Sequence, residues 1–193
     1  MSSLAELFEK QTGTKPVSEV QLTVSGSNRK YYRLKNDTIS LIGVIGTSVE
    51  ENRAFIAMAQ HFRKKGLPVP ELGEVAADEM MYLQEDLGDA VLFDYLVNSR
   101  KTGVFSSEEK AFLHKTMEML AKFQVVGAQG FDFSVCYPQP EFNERSILWD
   151  LNYFKYCFLK STGLDFQENK LEDDFEKLAK ELLKAKTETF MYR

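Results

Sequence analysis

A glycine-centred turn near the N-terminus has the composition of an anion-binding hairpin. Its glycine has no side chain to block an approaching anion, so the backbone amides of the turn can reach one. Two basic residues directly follow the turn and can add positive charge beside a phosphate. The candidate anion contacts are Ser25, Gly26, Ser27, Asn28, Arg29 and Lys30. One glycine between two strands is also typical of an ordinary hairpin turn, so both interpretations stay open.

A glutamate in the first turn of a predicted helix is the second candidate. Ser48 and Glu51 have the three-residue spacing of a capping box, which makes helix capping the first interpretation of Glu51. The other interpretation is an ion pair with a basic residue of the preceding strand. That strand, residues 39–45, contains no lysine. Phosphate contact would therefore have to come from Arg29 or Lys30.

The third candidate is the segment of residues 82–89, in which a predicted strand runs into an acidic, glycine-containing link. Backbone groups of such a link, at Glu85 and Leu87, can pair with the edge of a planar base while the side chains point elsewhere. The other interpretation is a plain connection between two domains.

The composition argues against several classes of function. The net charge of −5 does not favour a nucleic-acid surface. The two cysteines, Cys136 and Cys157, form no CxxC motif or Cys/His cluster, so we expect neither a disulfide framework nor a zinc site. The opening residues MSSLAELFEK lack the pattern of a secretory signal, and no apolar run approaches the roughly 20 residues of a membrane span. We therefore expect a cytoplasmic protein.

The predicted secondary structure that positions these candidates changes along the chain from mainly strands to helices. Leu4, Leu7 and Phe8 have helical spacing, with Gly13 as the predicted end of that helix. From residue 17 the period changes to an alternation such as that of residues 20–24, and the segment up to residue 88 predicts five short antiparallel strands with one inserted helix. Residues 89–193 instead show helical spacing, with a second capping box at Ser106 and Glu109. The sequence therefore predicts an α+β fold with an N-terminal lobe, residues 1–88, and a helical lobe, residues 89–193.

Four ordered segments carry a family resemblance. They read SGSNRKYYRL, EENRAFIAMAQHF, GLPVPE and YLQEDLGD. Together they resemble the aminoglycoside phosphotransferase and choline kinase-like family, and within it the bacterial kinases of cell-wall amino sugars such as N-acetylmuramate and N-acetylglucosamine. The resemblance covers nearly the whole chain.

This resemblance implies a protein-kinase-like fold, ATP with magnesium as the phosphoryl donor, and a sugar or amino-sugar hydroxyl as the acceptor. It implies that the glycine hairpin and the link, at Glu85 and Leu87, bind the nucleotide. In kinase lobes a glutamate placed like Glu51 pairs with a lysine of the third strand, which this chain lacks.

A catalytic loop of the pattern HxDxxxxN follows a short strand in the family, and a later aspartate holds magnesium. Residues 189–193 resemble that strand and the residues that lead into the loop, with Tyr192 in the place of the usual histidine. We therefore expect the catalytic residues to lie beyond Arg193. On this interpretation the chain alone holds no tightly bound metal and does not turn over.

Two further expectations follow from an incomplete helical lobe. The chain is either part of an active phosphotransferase or a non-catalytic, pseudokinase-like module that binds a nucleotide or a protein. Helices without their packing partners expose apolar surface, which predicts self-association.

Overall fold

The computed structural model describes residues 3–23, 28–185 and 190–191. The chain divides into two compact units, one formed by residues 1–137 with 190–193 and the other by residues 138–189. Each unit is described by itself. The predicted lobe boundary at residue 88 lies within the first unit, and it stays a prediction.

A five-stranded sheet with every neighbouring pair antiparallel forms the centre of the first unit, with the strand order β1-β2-β3-β5-β4. The strands are β1 (Ser18–Leu22), β2 (Lys30–Lys35), β3 (Ser40–Ile45), β4 (Leu72–Val75) and β5 (Met81–Glu85). The α+β class and the five-stranded antiparallel sheet predicted from the sequence are therefore confirmed.

Helix α1 (Leu4–Thr12) covers one face of this sheet, which we call the closed face. A complete capping box between Ser3 and Glu6 begins the helix, and Gly13 ends it with a φ of 80°, a conformation that favours glycine. The apolar side of α1 packs on strand residues of the same face. The buried members of this cluster are Leu4, Leu7, Phe8, Leu34, Ala76 and Leu83.

Helix α2 (Val49–Lys64) is inserted between β3 and β4 and lies against the opposite face, which we call the open face. Its Phe55 ring stacks on the ring of Tyr82, with a centroid distance of 5.2 Å. The fully buried Asn52 donates a hydrogen bond of 2.8 Å to the carbonyl oxygen of Glu79 in the turn between β4 and β5. A Cβ atom at Gly46 would lie 2.3 Å from the Asn52 amide, so glycine leaves the room that this tether needs.

Three helices follow the sheet within the first unit: α3 (Leu92–Tyr95), α4 (Val97–Thr102) and α5 (Ser107–Val125). The sequence predicts α5 and its Ser106–Glu109 capping box, and both are present. None of the 19 residues of α5, all of which are described, is buried. Exposed apolar side chains on this helix agree with the predicted exposed surface; self-association stays a prediction.

The second unit contains α6 (Glu144–Tyr153) and α7 (Glu168–Leu182). Between them, α6 continues as a π-helical turn over residues 154–158 and a 3₁₀ turn over residues 159–162. The buried Lys155 ammonium bridges Glu168 and Glu172 of α7, at 2.6 Å each. In neither unit does a helix of the described residues have the length and apolarity needed to cross a membrane.

Candidate functional site

The side chains of the open face form two rows that run across the strands. In the first row, Leu22, Tyr31, Val44 and Tyr82 lie opposite one another in turn. In the second, Val20, Arg33, Ile42, Gln84 and Leu72 do the same. Side chains directly opposite on neighbouring strands are about 5 Å apart at Cβ, so each row forms a continuous surface.

A cleft of about 420 Å³ opens over the part of these rows that lies beside the link. This volume is within the range of small-molecule sites. Leu22, Tyr31 and Ile42 give it apolar walls, and Arg33 and Gln84 add polar groups. The link, residues 85–89, forms its rim. Apolar walls with a few polar groups suit a flat, mostly uncharged ligand group.

Arg33 joins β2 to the link. Its guanidinium donates two hydrogen bonds to the carboxylate of Asp86, at 2.8 and 3.0 Å. It also forms an ion pair of 2.8 Å with the carboxylate of Asp89. The hydroxyl of Ser40 donates a further hydrogen bond to Asp86. This network fixes the link against the sheet at the rim of the cleft.

The same contacts change the pKa values of the charged groups. Burial by itself would raise the pKa of Asp86, but hydrogen bonds from Arg33, Ser40 and the Gly88 amide outweigh burial and lower it. The hydrogen bond from Arg33 also lowers the pKa of Asp89. The two carboxylates in turn raise the pKa of the Arg33 guanidinium. All three groups are therefore charged at neutral pH.

Arg29 precedes β2 and joins the open face to helix α2. Its guanidinium forms an ion pair of 2.9 Å with the Glu51 carboxylate and lies 5.3 Å from the centre of the Phe55 ring. The side chain is only 11% exposed, so the charge is held in place rather than mobile in solvent. Arg29 lies two residues before Tyr31, which lines the cleft, and is not itself among the lining residues.

The predicted capping box of α2 is present only in part. The Ser48 hydroxyl accepts a hydrogen bond of 3.0 Å from the Glu51 amide, as predicted. The Glu51 carboxylate, however, pairs with Arg29. The basic partner of Glu51 therefore comes from the start of β2, because the third strand offers no lysine.

The remaining predicted site residues belong to the glycine turn and to the link. Ser25, Gly26 and Ser27 lie outside the described residues. Asn28 and Lys30 are exposed beside Arg29. The Glu85 amide donates to the Glu71 carbonyl oxygen at 2.8 Å, and Leu87 lies on the rim with its side chain 67% exposed.

The predicted lead-in to a catalytic loop lies partly outside the described chain, which omits residues 189, 192 and 193. Phe190 is described, and its ring packs edge-on against Phe62 of α2 at 6.1 Å.

Sequence reasoning missed two residues of the cleft, Arg33 and Gln84. Both lie on the open face. Their sequence neighbours Leu34 and Leu83 point to the opposite face and are buried there. A polar side chain at such a position needs a polar partner or a ligand. That signal is present in the alternation, but the partners of Arg33 are more than 50 residues away along the chain.

Comparisons with known proteins add no family assignment. No protein-family model matches this chain, and no curated protein matches it either.

Proposed function

We propose that the first unit binds ATP in the open-face cleft, as the nucleotide-binding part of a phosphotransferase with a protein-kinase-like fold that acts on a sugar or amino-sugar hydroxyl. The observation that carries this proposal is the Arg29–Glu51 pair beside the cleft. A kinase lobe pairs a lysine of its third strand with a glutamate of the following helix to hold phosphates. Here Glu51 has the helix position, and Arg29 supplies the positive charge from the start of β2.

The base of the nucleotide fits the end of the cleft beside the link. The walls there are apolar, and residues 85–89 form one edge. Asp86 and Asp89 are both ionised at this end, with Arg33 as their shared counter-ion. The surplus of negative charge disfavours phosphate groups at the rim and favours the neutral base.

The phosphates then extend toward the start of β2. Arg29 and Lys30 are adjacent there, and the predicted glycine turn precedes them. The Arg29 guanidinium contacts the carboxylate and the carbonyl oxygen of Glu51, and in this proposal its positive charge attracts the phosphates. Glu51 positions Arg29 in this proposal, and it need not touch the nucleotide.

Magnesium would accompany ATP, but we assign it no protein ligand. Within residues 3–23, 28–185 and 190–191, no group of three or more His, Cys, Asp or Glu side chains is arranged to hold a metal ion. The acceptor class comes from the family resemblance alone, and no described residue is assigned to it.

Calorimetric titration of the whole chain with ATP and magnesium chloride tests the proposal. We expect binding, and we expect Arg29→Met to weaken ATP binding about tenfold because a positive charge near the phosphates is lost. Adenosine has no phosphate, so its affinity should change little. Arg53→Met is the matched control, since Arg53 pairs with Glu79 at the exposed end of α2.

The absence of ATP binding at millimolar concentration would overturn the proposal. Equal losses in the Arg29 and Arg53 variants would remove the role assigned to Arg29. In a transfer assay with labelled ATP and a panel of sugars and amino sugars, this chain should yield no labelled sugar, and a labelled product would show that it is itself an active phosphotransferase.

A further inference from the structure

Arg29 contacts both a carboxylate and an aromatic ring of helix α2. Its guanidinium carbon lies over the face of the Phe55 ring, 5.3 Å from the ring centre. The Glu51 carboxylate pairs with the same guanidinium at 2.9 Å. Glu51 and Phe55 are four residues apart, so their side chains are neighbours on one side of the helix. Helix α2 therefore holds Arg29 through two different contacts.

The Phe55 ring is itself fixed by the sheet. It stacks on the ring of Tyr82, with the two centroids 5.2 Å apart and the two planes 24° from parallel. Tyr82 belongs to β5 and has no exposed surface. Burial raises the pKa of the Tyr82 phenol, and the positive charge of Arg29 partly offsets that rise. The two rings and the guanidinium thus form one packed group against the sheet.

The contact with the ring is the one that solvent weakens less. A guanidinium is attracted to the negative face of an aromatic ring, and the attraction is larger when the cation is shielded from water. The Arg29 side chain is only 11% exposed, whereas that of Glu51 is 36% exposed. An ion pair in contact with water contributes little to holding its two side chains in one geometry. Phe55 therefore supplies a restraint on Arg29 that the carboxylate alone does not.

We propose that Phe55 is a positioning residue for ATP binding, which keeps the Arg29 guanidinium in one place beside the cleft. This inference rests on the proposed function, in which the charge of Arg29 attracts the phosphates. A side chain that moved among several rotamers would lose part of that attraction, because the bound state would have to order it first. Phe55 does not line the cleft, so it acts through Arg29 and not by touching the nucleotide.

Calorimetric titration of the whole chain with ATP and magnesium chloride tests the variant Phe55→Leu, which keeps an apolar side chain on α2 and removes the ring. We expect ATP to bind about threefold more weakly, a part of the loss expected for Arg29→Met. Adenosine has no phosphate, so its affinity should not change. Phe112→Leu is the matched control, since Phe112 lies on α5 outside the cleft and its loss should leave ATP binding unchanged.

A double-mutant cycle separates positioning from a loss of packing. In the Arg29→Met background no guanidinium remains to be held, so Phe55→Leu should cause no further loss of ATP affinity. A ring that acted only through the shape of the fold would cause the same loss in both backgrounds. Phe55→Tyr keeps the ring face and should bind ATP as tightly as the wild type. Circular dichroism checks that each variant is folded, and Phe55→Met replaces Phe55→Leu if the latter is not.

The outcomes separate this inference from the proposed function. If Arg29→Met weakens ATP binding and Phe55→Leu does not, Phe55 does not position Arg29, although the proposed function stands. Equal losses for Phe55→Leu in the two backgrounds, or an equal loss of adenosine affinity, also overturn the inference. If ATP binds and Arg29→Met has no effect, the inference is wrong together with the role of Arg29. If no nucleotide binds, both proposals are wrong.

Discussion

The two faces of the sheet are covered in different ways. On the closed face, α1 covers the strands with apolar side chains, and Phe8, Leu34 and Leu83 have no exposed surface. On the open face, α2 covers the row of Val44 and Tyr82, and the row of Arg33 and Gln84 lines a cleft. The same strands therefore build a hydrophobic core on one side and a polar binding surface on the other.

The difference shows how one alternating sequence can serve both purposes. Successive residues of a strand point to opposite faces, so each face can be changed without altering the other. Buried apolar residues of the closed face, such as Leu34 and Leu83, supply the stability. The open face can then carry charged and amide side chains where a ligand is expected.

The largest effect should come from the closed face. Phe8→Ala removes a fully buried ring and should lower the free energy of unfolding by about 3–5 kcal/mol. Urea denaturation followed by circular dichroism measures this loss. Val20→Ala is the open-face control, because Val20 is 56% exposed, and it should cost under about 1 kcal/mol. Equal losses would mean that the two faces contribute equally to the free energy of unfolding.

A smaller loss is expected where α2 is tethered to the open side of the sheet. Asn52→Ala removes the buried hydrogen bond to the Glu79 carbonyl oxygen and should cost about 1–3 kcal/mol in the same assay. Arg53→Ala removes only an exposed ion pair to the side chain of Glu79 and should have a much smaller effect. A larger loss for Arg53 than for Asn52 would contradict this tether.

Helix α1 begins with a complete capping box, whereas α2 has only its Ser48 cap, and this difference gives a third prediction. Ser48→Ala removes the cap of α2 and should cost about 1 kcal/mol. Glu51→Gln changes the carboxylate that faces Arg29 and leaves the cap in place, so thermal unfolding should show a smaller shift for it. If Glu51→Gln were the more harmful change, the carboxylate and not the hydroxyl would be what holds this end of α2.

Arg33→Met should also destabilise the fold, by an amount that depends on pH, because the Asp86 side chain is only 8% exposed and loses its ion partner. The pKa of Asp86 is lowered in the folded state, so the stability that Asp86 contributes is present above the ordinary aspartate pKa and is lost as the pH falls through the folded value. The wild type should therefore exceed the variant in stability near pH 7, and the difference should shrink below about pH 4.

Denaturation curves across this pH range measure that difference. Arg53→Met serves as the control, since Arg53 pairs with Glu79 outside the cleft. A difference between wild type and Arg33→Met that grows on acidification would show that the Asp86 contact does not stabilise the fold.

The sheet was predictable because its signals are local. Alternation in residues 20–24 and 30–34 indicates strands at places where β1 and β2 form. Gly13 and the Ser106–Glu109 pair mark helix ends through interactions within one turn. The short helices α3 and α4 were not predicted, since four to six residues carry too little periodicity.

The candidate site was less predictable because its contacts are distant in sequence. Arg33 and Asp86 are 53 residues apart, and Arg29 and Glu51 are 22 apart. Neither pair follows from spacing along one element. The absence of a lysine in the third strand suggested a different phosphate contact, but only the fold brings Arg29 to the Glu51 carboxylate.

The Arg33–Asp86 contact also bears on how the chain selects its strand alignment during folding. A shift of β2 by one residue would move every one of its side chains to the other face. Arg33 would then lie in the apolar cluster of Phe8 and Leu83, where a charge without a partner is strongly disfavoured. The same arginine that fixes the link therefore destabilises the shifted hairpin. Arg33 thus disfavours the wrong strand register and stabilises the correct one.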